Sequence, residues 1–399
     1  MSGAPYDPTT RRDTPLAIKL KHRIARDGPI CVADYMRACL WDEEHGYYAT
    51  HQVVGAMGDF ITAPEISQVF GELIGLWAAV AWAQVLGAPP QVSLAEFGPG
   101  RGTMMRDALR AARLVKDFSE AVSVHLIEAS ETLQAAQRAT LSDVAQPVSW
   151  GTELDGIPTP AIILANEFLD ALPIAQWIKT ADGWRERSVG LDDTGELCFG
   201  VSGHFPLSPS SPFDERGGGR VEVMPGSDPK DDNNYEPRKE PGHQFEDAPF
   251  GSVTESLRPE FVVDALKALA RSGPVVALFI DYGHDVSSIG ETLQAVRNHK
   301  FESPLTSPGE ADLSSHVDFA AFARACHAAG LETDGPTTQA EFLGRLGIIE
   351  RASKLMYANP AKAGEIESAI ARLMAPGGMG GRFKVIGIRS AGLPMLPGF

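Results

Sequence analysis

Apolar residues recur at helical spacing over Leu16–Ala25 and again over Val32–Trp41, with the breaker Asp27-Gly28-Pro29 between them, and a third helix is predicted over Glu65–Leu86. Short apolar runs then begin. Ser93–Phe97 reads as a strand entering a glycine turn, and the helix after it carries Met104, Met105, Ala108, Leu109 and Ala112 on one face. Further strands are predicted at Val122–Ile127, Val148–Trp150, Ala161–Ala165 and Val275–Ile280, with helices over Glu131–Leu141 and Pro259–Ala270. Alternation of strand and helix predicts an α/β fold with a parallel, doubly wound, Rossmann-like sheet.

Two stretches break the alternation. From Ile174 to Val201 the pattern is hairpin-like: Ile174–Lys179, a turn at Asp182-Gly183, Trp184–Leu191, a turn through Asp193–Gly195, and Leu197–Val201. His204–Phe250 is rich in Pro, Gly, Ser and charge and is expected to be a disordered insertion. Helices are then expected near Val317–Ala329, Ala340–Arg351 and Lys362–Met374, with a final antiparallel edge strand at Arg382–Arg389. The expected organisation is an N-terminal helical cap (1–92), a cofactor-binding core (93–173 and 251–399), a β-hairpin accessory insertion (174–203) and the disordered insertion (204–250).

The glycine turn narrows the chemistry. Ser93-Leu94-Ala95-Glu96-Phe97-Gly98-Pro99-Gly100-Arg101-Gly102-Thr103 spaces its glycines G-x-G-x-G, whereas a dinucleotide fingerprint needs G-x-G-x-x-G. The backbone N–H groups at the start of the following helix form a cradle for a nucleoside cofactor. Glu96, two residues before the first glycine, suits a ligand with a cationic amino-acid end and no pyrophosphate. S-adenosyl-L-methionine is such a ligand, and the turn Glu96, Gly98, Pro99, Gly100 and Gly102 is its candidate seat.

Other candidates follow from position. Glu128 ends the second strand, where a carboxylate can accept from both ribose hydroxyls. Trp150 ends the third strand, where an adenine ring would lie or where it would simply fill the core. Asn166-Glu167-Phe168-Leu169-Asp170 follows the fourth strand, beside the crevice in which open α/β sheets bind ligands. Its polar groups either hold cofactor and acceptor or cap a helix, with Asn166 as N-cap. Gly58-Asp59 precedes Thr62 and Glu65, which read as a capping box, and can fold over the cofactor. Asp281 and Tyr282 end the fifth strand, and His316 lies near a helix start whose N-cap is expected at Ser314 or Ser315; all three are substrate-side candidates.

Charge bounds the partners. Lys and Arg number 35 against 52 Asp and Glu, giving a net charge of −17. Such a surface disfavours nucleic acid and anionic membranes and attracts cations. The cysteines Cys31, Cys39, Cys198 and Cys326 form no metal-ligand spacing, so no metal site is expected. No apolar run approaches the ~18 residues of a membrane span. Met1–Pro15 carries no apolar run, and Asp7 and Asp13 do not suit a transit peptide, so a bacterial cytoplasmic protein is expected.

Taken together, His45–Tyr48, Gly58–Leu76, Glu96–Thr103, Asn166–Ile174, Ile280–Gly283, Asp312–Phe319, Gln339–Ile348 and Arg382–Ile388 resemble the MidA-like methyltransferases, whose mitochondrial members are complex I assembly factors. The resemblance spans nearly the whole chain. It implies a class I S-adenosylmethionine fold, with the Glu96–Gly102 turn carried over for cofactor binding. By analogy it implies symmetric dimethylation of an arginine on a quinone-module subunit of respiratory complex I. The long His204–Phe250 insertion and Ala129 depart from the family pattern. For an arginine acceptor, paired carboxylates are needed to bind the guanidinium and leave one nitrogen nucleophilic; Glu167 and Asp170 are that candidate catalytic pair. A small-molecule methyltransferase and a cofactor-binding assembly chaperone without turnover remain the alternatives.

Overall fold

The computed structural model describes residues 11–50, 62–201, 241 and 245–399. The predicted core strands and one strand without a strand-like sequence form a mixed sheet. Its members are β1 (Val92–Phe97), β2 (Val122–Ile127), β3 (Val148–Gly151), β4 (Ala161–Asn166), β5 (Val275–His284), β6 (Leu331–Thr338) and β7 (Phe383–Ser390), in the spatial order β6-β7-β5-β4-β1-β2-β3. The pairs β5–β4, β4–β1, β1–β2 and β2–β3 are parallel, while β7 runs antiparallel to both β5 and β6. Strand order reverses between β4 and β1, which places the crevice of this sheet beside the carboxyl ends of those two strands.

The central strands are apolar at successive positions because both faces are covered. Ile162, Leu164, Val276 and Leu278 pack in one core, and Ala161, Ile163, Val275 and Ala277 pack in the other. The helices α1 (Pro15–Asp27), α2 (Val32–Trp41), α3 (Gln68–Gln84), α4 (Thr103–Ala112), α5 (Glu131–Thr140), α6 (Glu260–Ser272) and α7 (Phe319–Ala328) surround the sheet. Buried residues of α3 and α4 join the first core, whereas those of α1, α2, α6 and α7 join the second. The expected N-terminal cap is therefore split between the two faces. Gly71 and Gly75 make the α3–α4 contact possible: a Cβ on Gly75 would lie 2.3 Å from the Ala108 carbonyl oxygen. Glu72, on the same helix, is buried and binds Arg110 of α4 at 2.9 Å and Arg351 at 2.7 Å.

Several expectations need correction. The hairpin Ile174–Thr180 and Gly183–Leu191 is part of a five-stranded sheet with Leu197–Val201, Ile30–Cys31 and Val253–Leu257, so residues just after 251 extend the accessory sheet instead of resuming the core. The last strand is antiparallel, yet the edge belongs to β6, whose polar sequence with Pro336 gives no strand pattern. Helix α7 starts at Phe319 with Asp318 as its N-cap, because Val317–Asp318 pairs with β5 and Ser314 ends a three-stranded sheet. The helix expected over Ala340–Arg351 breaks at Gly347, which takes a left-handed conformation between Gln339–Arg345 and Ile348–Ala358. Ser67, not Thr62, caps the long helix α3; Glu65 instead accepts from the Thr103 hydroxyl at 2.7 Å. Most of His204–Phe250, with Gly58 and Asp59, lies outside the described residues.

Candidate active site

The glycine turn leaves β1 with three residues in left-handed backbone: Gly98 at φ 56°, Gly100 at φ 52° and Gly102 at φ 79°. Side chains rarely tolerate that region, so glycine is required there. At Gly98 space also decides, since a Cβ would meet the Phe168 ring at 3.0 Å. Gly102 is the N-cap of α4, which aims the unpaired N–H groups of that helix start at the turn. Gln137 of α5 holds the loop by donating to the Gly100 carbonyl at 2.7 Å.

Two polar side chains converge on a small hollow of about 80 Å³ under this turn. Glu96 is 3% exposed, its Oε2 accepts no hydrogen bond, and burial pushes its carboxyl up to about 8. Asn166, at the end of the neighbouring strand β4, is also buried, and its Oδ1 accepts nothing. A buried acceptor left unsatisfied costs about 1–3 kcal/mol, so two of them on residues that line one hollow suit a donor, such as an ammonium group. Arg101 lines the same hollow.

The hollow shares Thr62, Gly98, Gly100 and Glu167 with a cavity of about 1220 Å³. Glu128 lines it with Ile127, Ala129, Leu133 and Thr152. Its carboxylate is oriented by the Ser130 N–H on Oε1 at 2.9 Å and by Gln137 on Oε2 at 3.2 Å, and burial raises its pKa. Trp150 does not line the cavity. Its indole N–H donates to Gln137 Oε1 at 2.9 Å and the Arg138 guanidinium stacks 3.8 Å from its ring, so the strand end turns it against α5.

Past β4 the chain forms a loop, which removes the alternative of Asn166 as a helix N-cap. Glu167 adopts φ 52°, a strained setting for a residue with a side chain. Asp281 Oδ2 then accepts the N–H groups of Phe168, Leu169 and Asp170 at 3.0, 2.8 and 3.1 Å. This arrangement puts Glu167 and Asp170 on the cavity wall with Tyr282. Glu167 Oε1 accepts from the Ala63 N–H and from Asn166 Nδ2, both at 3.1 Å. Burial raises its carboxyl to about 7, reinforced by the charge of Asp170. Burial likewise raises Asp170 to about 6, opposed by a hydrogen bond from Tyr282. Asp281 is itself buried and does not line the cavity, so it shapes the loop and does not face a substrate. His316 is exposed outside the cavity, edge-on to the Tyr282 ring at 5.5 Å.

A family model described as S-adenosyl-L-methionine-dependent methyltransferase matches residues 73–337. The chain belongs to that family. A crystal structure of a superfamily member from Burkholderia thailandensis, bound to S-adenosyl-homocysteine, superposes with a TM-score of 0.77 at 26% identity, covering 98% of this chain and 97% of that one. Mitochondrial protein arginine methyltransferases named NDUFAF7 are similar along most of their length. The Danio rerio protein is 32% identical over 92% of this chain and 86% of its own, and the Homo sapiens protein 31% over 94% and 84%. The fold is thus that of a class I methyltransferase, and S-adenosyl-L-methionine is the cofactor of the enzyme.

The residues fit that cofactor. The unsatisfied acceptors of Glu96 and Asn166, the Cβ-free turn and the Glu128 carboxylate are groups of the kind that an ammonium end and a ribose require. Among the described residues no group of His, Cys, Asp and Glu is arranged to hold a metal. Sequence reasoning assigned no role to several wall residues: Trp41 and Tyr48 from the N-terminal segment, Phe261 from α6, and Asp312. Tyr48 and Asp312 do fall in the family-like segments His45–Tyr48 and Asp312–Phe319, but no local pattern points either side chain at the crevice.

Proposed function

We propose that this methyltransferase is a protein arginine N-methyltransferase that forms symmetric dimethylarginine on a quinone-module subunit of respiratory complex I. The carrying observation is the pair Glu167 and Asp170 on the wall of the cofactor cavity, and the names of the NDUFAF7 relatives agree with it. We also place the enzyme in the bacterial cytoplasm, in keeping with four cysteines that are all free thiols.

When bound, S-adenosyl-L-methionine supplies an electrophilic methyl group, whose carbon–sulfur bond breaks as the carbon–nitrogen bond forms. The chain's residues do the rest by positioning and proton handling. A guanidinium stays protonated at neutral pH, and its planar N–H edge matches two carboxylates. Glu167 and Asp170 hold it, draw positive charge toward the bound nitrogens, and leave the remaining nitrogen as the nucleophile. The nitrogen that gains a methyl group must lose a proton. Glu167, raised to about 7, is a base of suitable strength for that proton. Phe97 and Phe168, stacked with ring centroids 5.0 Å apart beside the turn, help exclude water.

The test is transfer of labelled methyl groups to the proteins of a cell lysate, followed by mass spectrometry of the labelled acceptor. Symmetric dimethylarginine on a complex I subunit is the expected result, with Glu167→Gln keeping cofactor affinity and losing transfer. Label confined to metabolites, or full turnover by that variant, overturns the proposal.

A further inference from the structure

The cavity holds more than the cofactor. Its volume of about 1220 Å³ exceeds the roughly 300–1,000 Å³ of single small-ligand pockets, so an acceptor side chain has room in the same chamber. Around the part that carries Asp170, the wall comes from three distant stretches of chain. Tyr48 enters from the N-terminal segment, Tyr282 from the end of β5, and Asp312 from the strand Asp312–Ser314.

Tyr48 sits in the fields of both Asp312 and Asp170. Its ring lies 6.0 Å from that of Trp41, which also lines the cavity and is 39% exposed. One chamber therefore presents aromatic faces and carboxylates together. The two arginines of the lining, Arg37 and Arg258, are paired with Asp34 and Glu260 and are outnumbered by carboxylates, so a phosphate or carboxylate substrate is disfavoured. A planar, delocalised cation satisfies both surfaces at once, stacking on the rings while its N–H edge meets the carboxylates.

We propose that Tyr48 and Asp312 are acceptor-binding residues, which with Trp41 at the rim receive an arginine side chain and deliver it to Glu167 and Asp170. The proposal rests on the arginine reading above and names residues that reading does not use. Tyr48 is a wall of the acceptor pocket and Asp312 its additional carboxylate. Burial and the neighbouring carboxylates raise the Tyr48 phenol well above its ordinary range, so it stays neutral and serves as a hydrogen-bonding group, not as a base. A lysine ammonium, a compact point charge, uses the aromatic faces less well than a guanidinium does.

The experiment is an NMR titration of the S-adenosyl-homocysteine complex with Nα-acetyl-arginine amide and, separately, with Nα-acetyl-lysine amide. Wild-type enzyme is expected to bind the arginine probe at least tenfold more tightly than the lysine probe. Tyr48→Phe and Asp312→Asn are each expected to weaken arginine binding about tenfold, with S-adenosyl-homocysteine affinity and melting temperature close to wild type. Wild-type binding of arginine with unchanged affinity in Tyr48→Phe and in a folded Asp312→Asn overturns this assignment and leaves the arginine reading standing. Equal binding of both probes by the wild type, or of neither, overturns the arginine reading and this assignment with it. Tyr48→Phe, which removes one hydroxyl and keeps the ring, decides the question if Asp312→Asn fails to fold.

Discussion

Asp281 Oδ2 lies 2.8 Å from the backbone nitrogen of Leu169, at the centre of a fan of N–H groups that also includes Phe168 and Asp170. This one oxygen sets the path of the loop that carries Glu167 and Asp170 into the cavity. Asp281→Ala leaves those donors without an acceptor, and each buried donor so orphaned costs about 1–3 kcal/mol. The expected result is a fall in kcat of about 100-fold, with S-adenosyl-homocysteine affinity changed by less than a few-fold. Asp281→Asn, which keeps an oxygen in place, restores much of the rate. Steady-state kinetics beside calorimetry check this, and a loss of cofactor binding equal to the loss of kcat contradicts it.

Methyl transfer is expected to rise with pH between 6 and 8. Glu167 and Asp170 must be ionised to hold a guanidinium, and burial sets their carboxyls at about 7 and about 6. The same shifts make the unliganded protein less stable as pH rises. A carboxyl whose folded value lies above its ordinary 4.5 retains its proton longer when folded, so its contribution is complete below 4.5 and gone above about 7. In the wild type both profiles carry this titration, and Glu167→Gln, which loses transfer, flattens that of stability. Rates and melting curves over pH 5–9 measure them, and a rate that falls across this range refutes the assignment.

Cofactor binding near neutral pH is expected to release protons. Glu96 is held largely protonated by burial, with its carboxyl at about 8, and must ionise to meet an ammonium group. Calorimetry in two buffers of different ionisation heat reads the release directly. Glu96→Gln abolishes it and weakens affinity at least tenfold, whereas an unchanged proton count in that variant removes Glu96 from the site.

Gly75→Ala is expected to destabilise the fold by about 1–3 kcal/mol, because the new methyl group enters the space of the Ala108 backbone and forces α3 from α4. Gly364→Ala, at a helix position open to solvent, is the control and is neutral or slightly stabilising. Urea unfolding of both variants gives the comparison.

Local patterns in the sequence determined the parallel core, the glycine turn and the carboxyl-edge position of Glu96, Glu128 and Glu167. Each follows from apolar runs of strand length, glycine spacing, and the rule that side chains just past parallel strands face the crevice. The edge strand Leu331–Thr338 was hidden because its residues are polar and include Pro336, and only its partner β7 makes it a strand. Tertiary structure alone decided the rest of the site. It turned Trp150 onto Gln137, made Asp281 a scaffold for the 168–170 loop, and joined Tyr48 and Asp312 from 264 positions apart in one wall. The physical reason is range: periodicity and turn chemistry act over a few residues, whereas the direction of a side chain into a shared cavity depends on how distant elements pack.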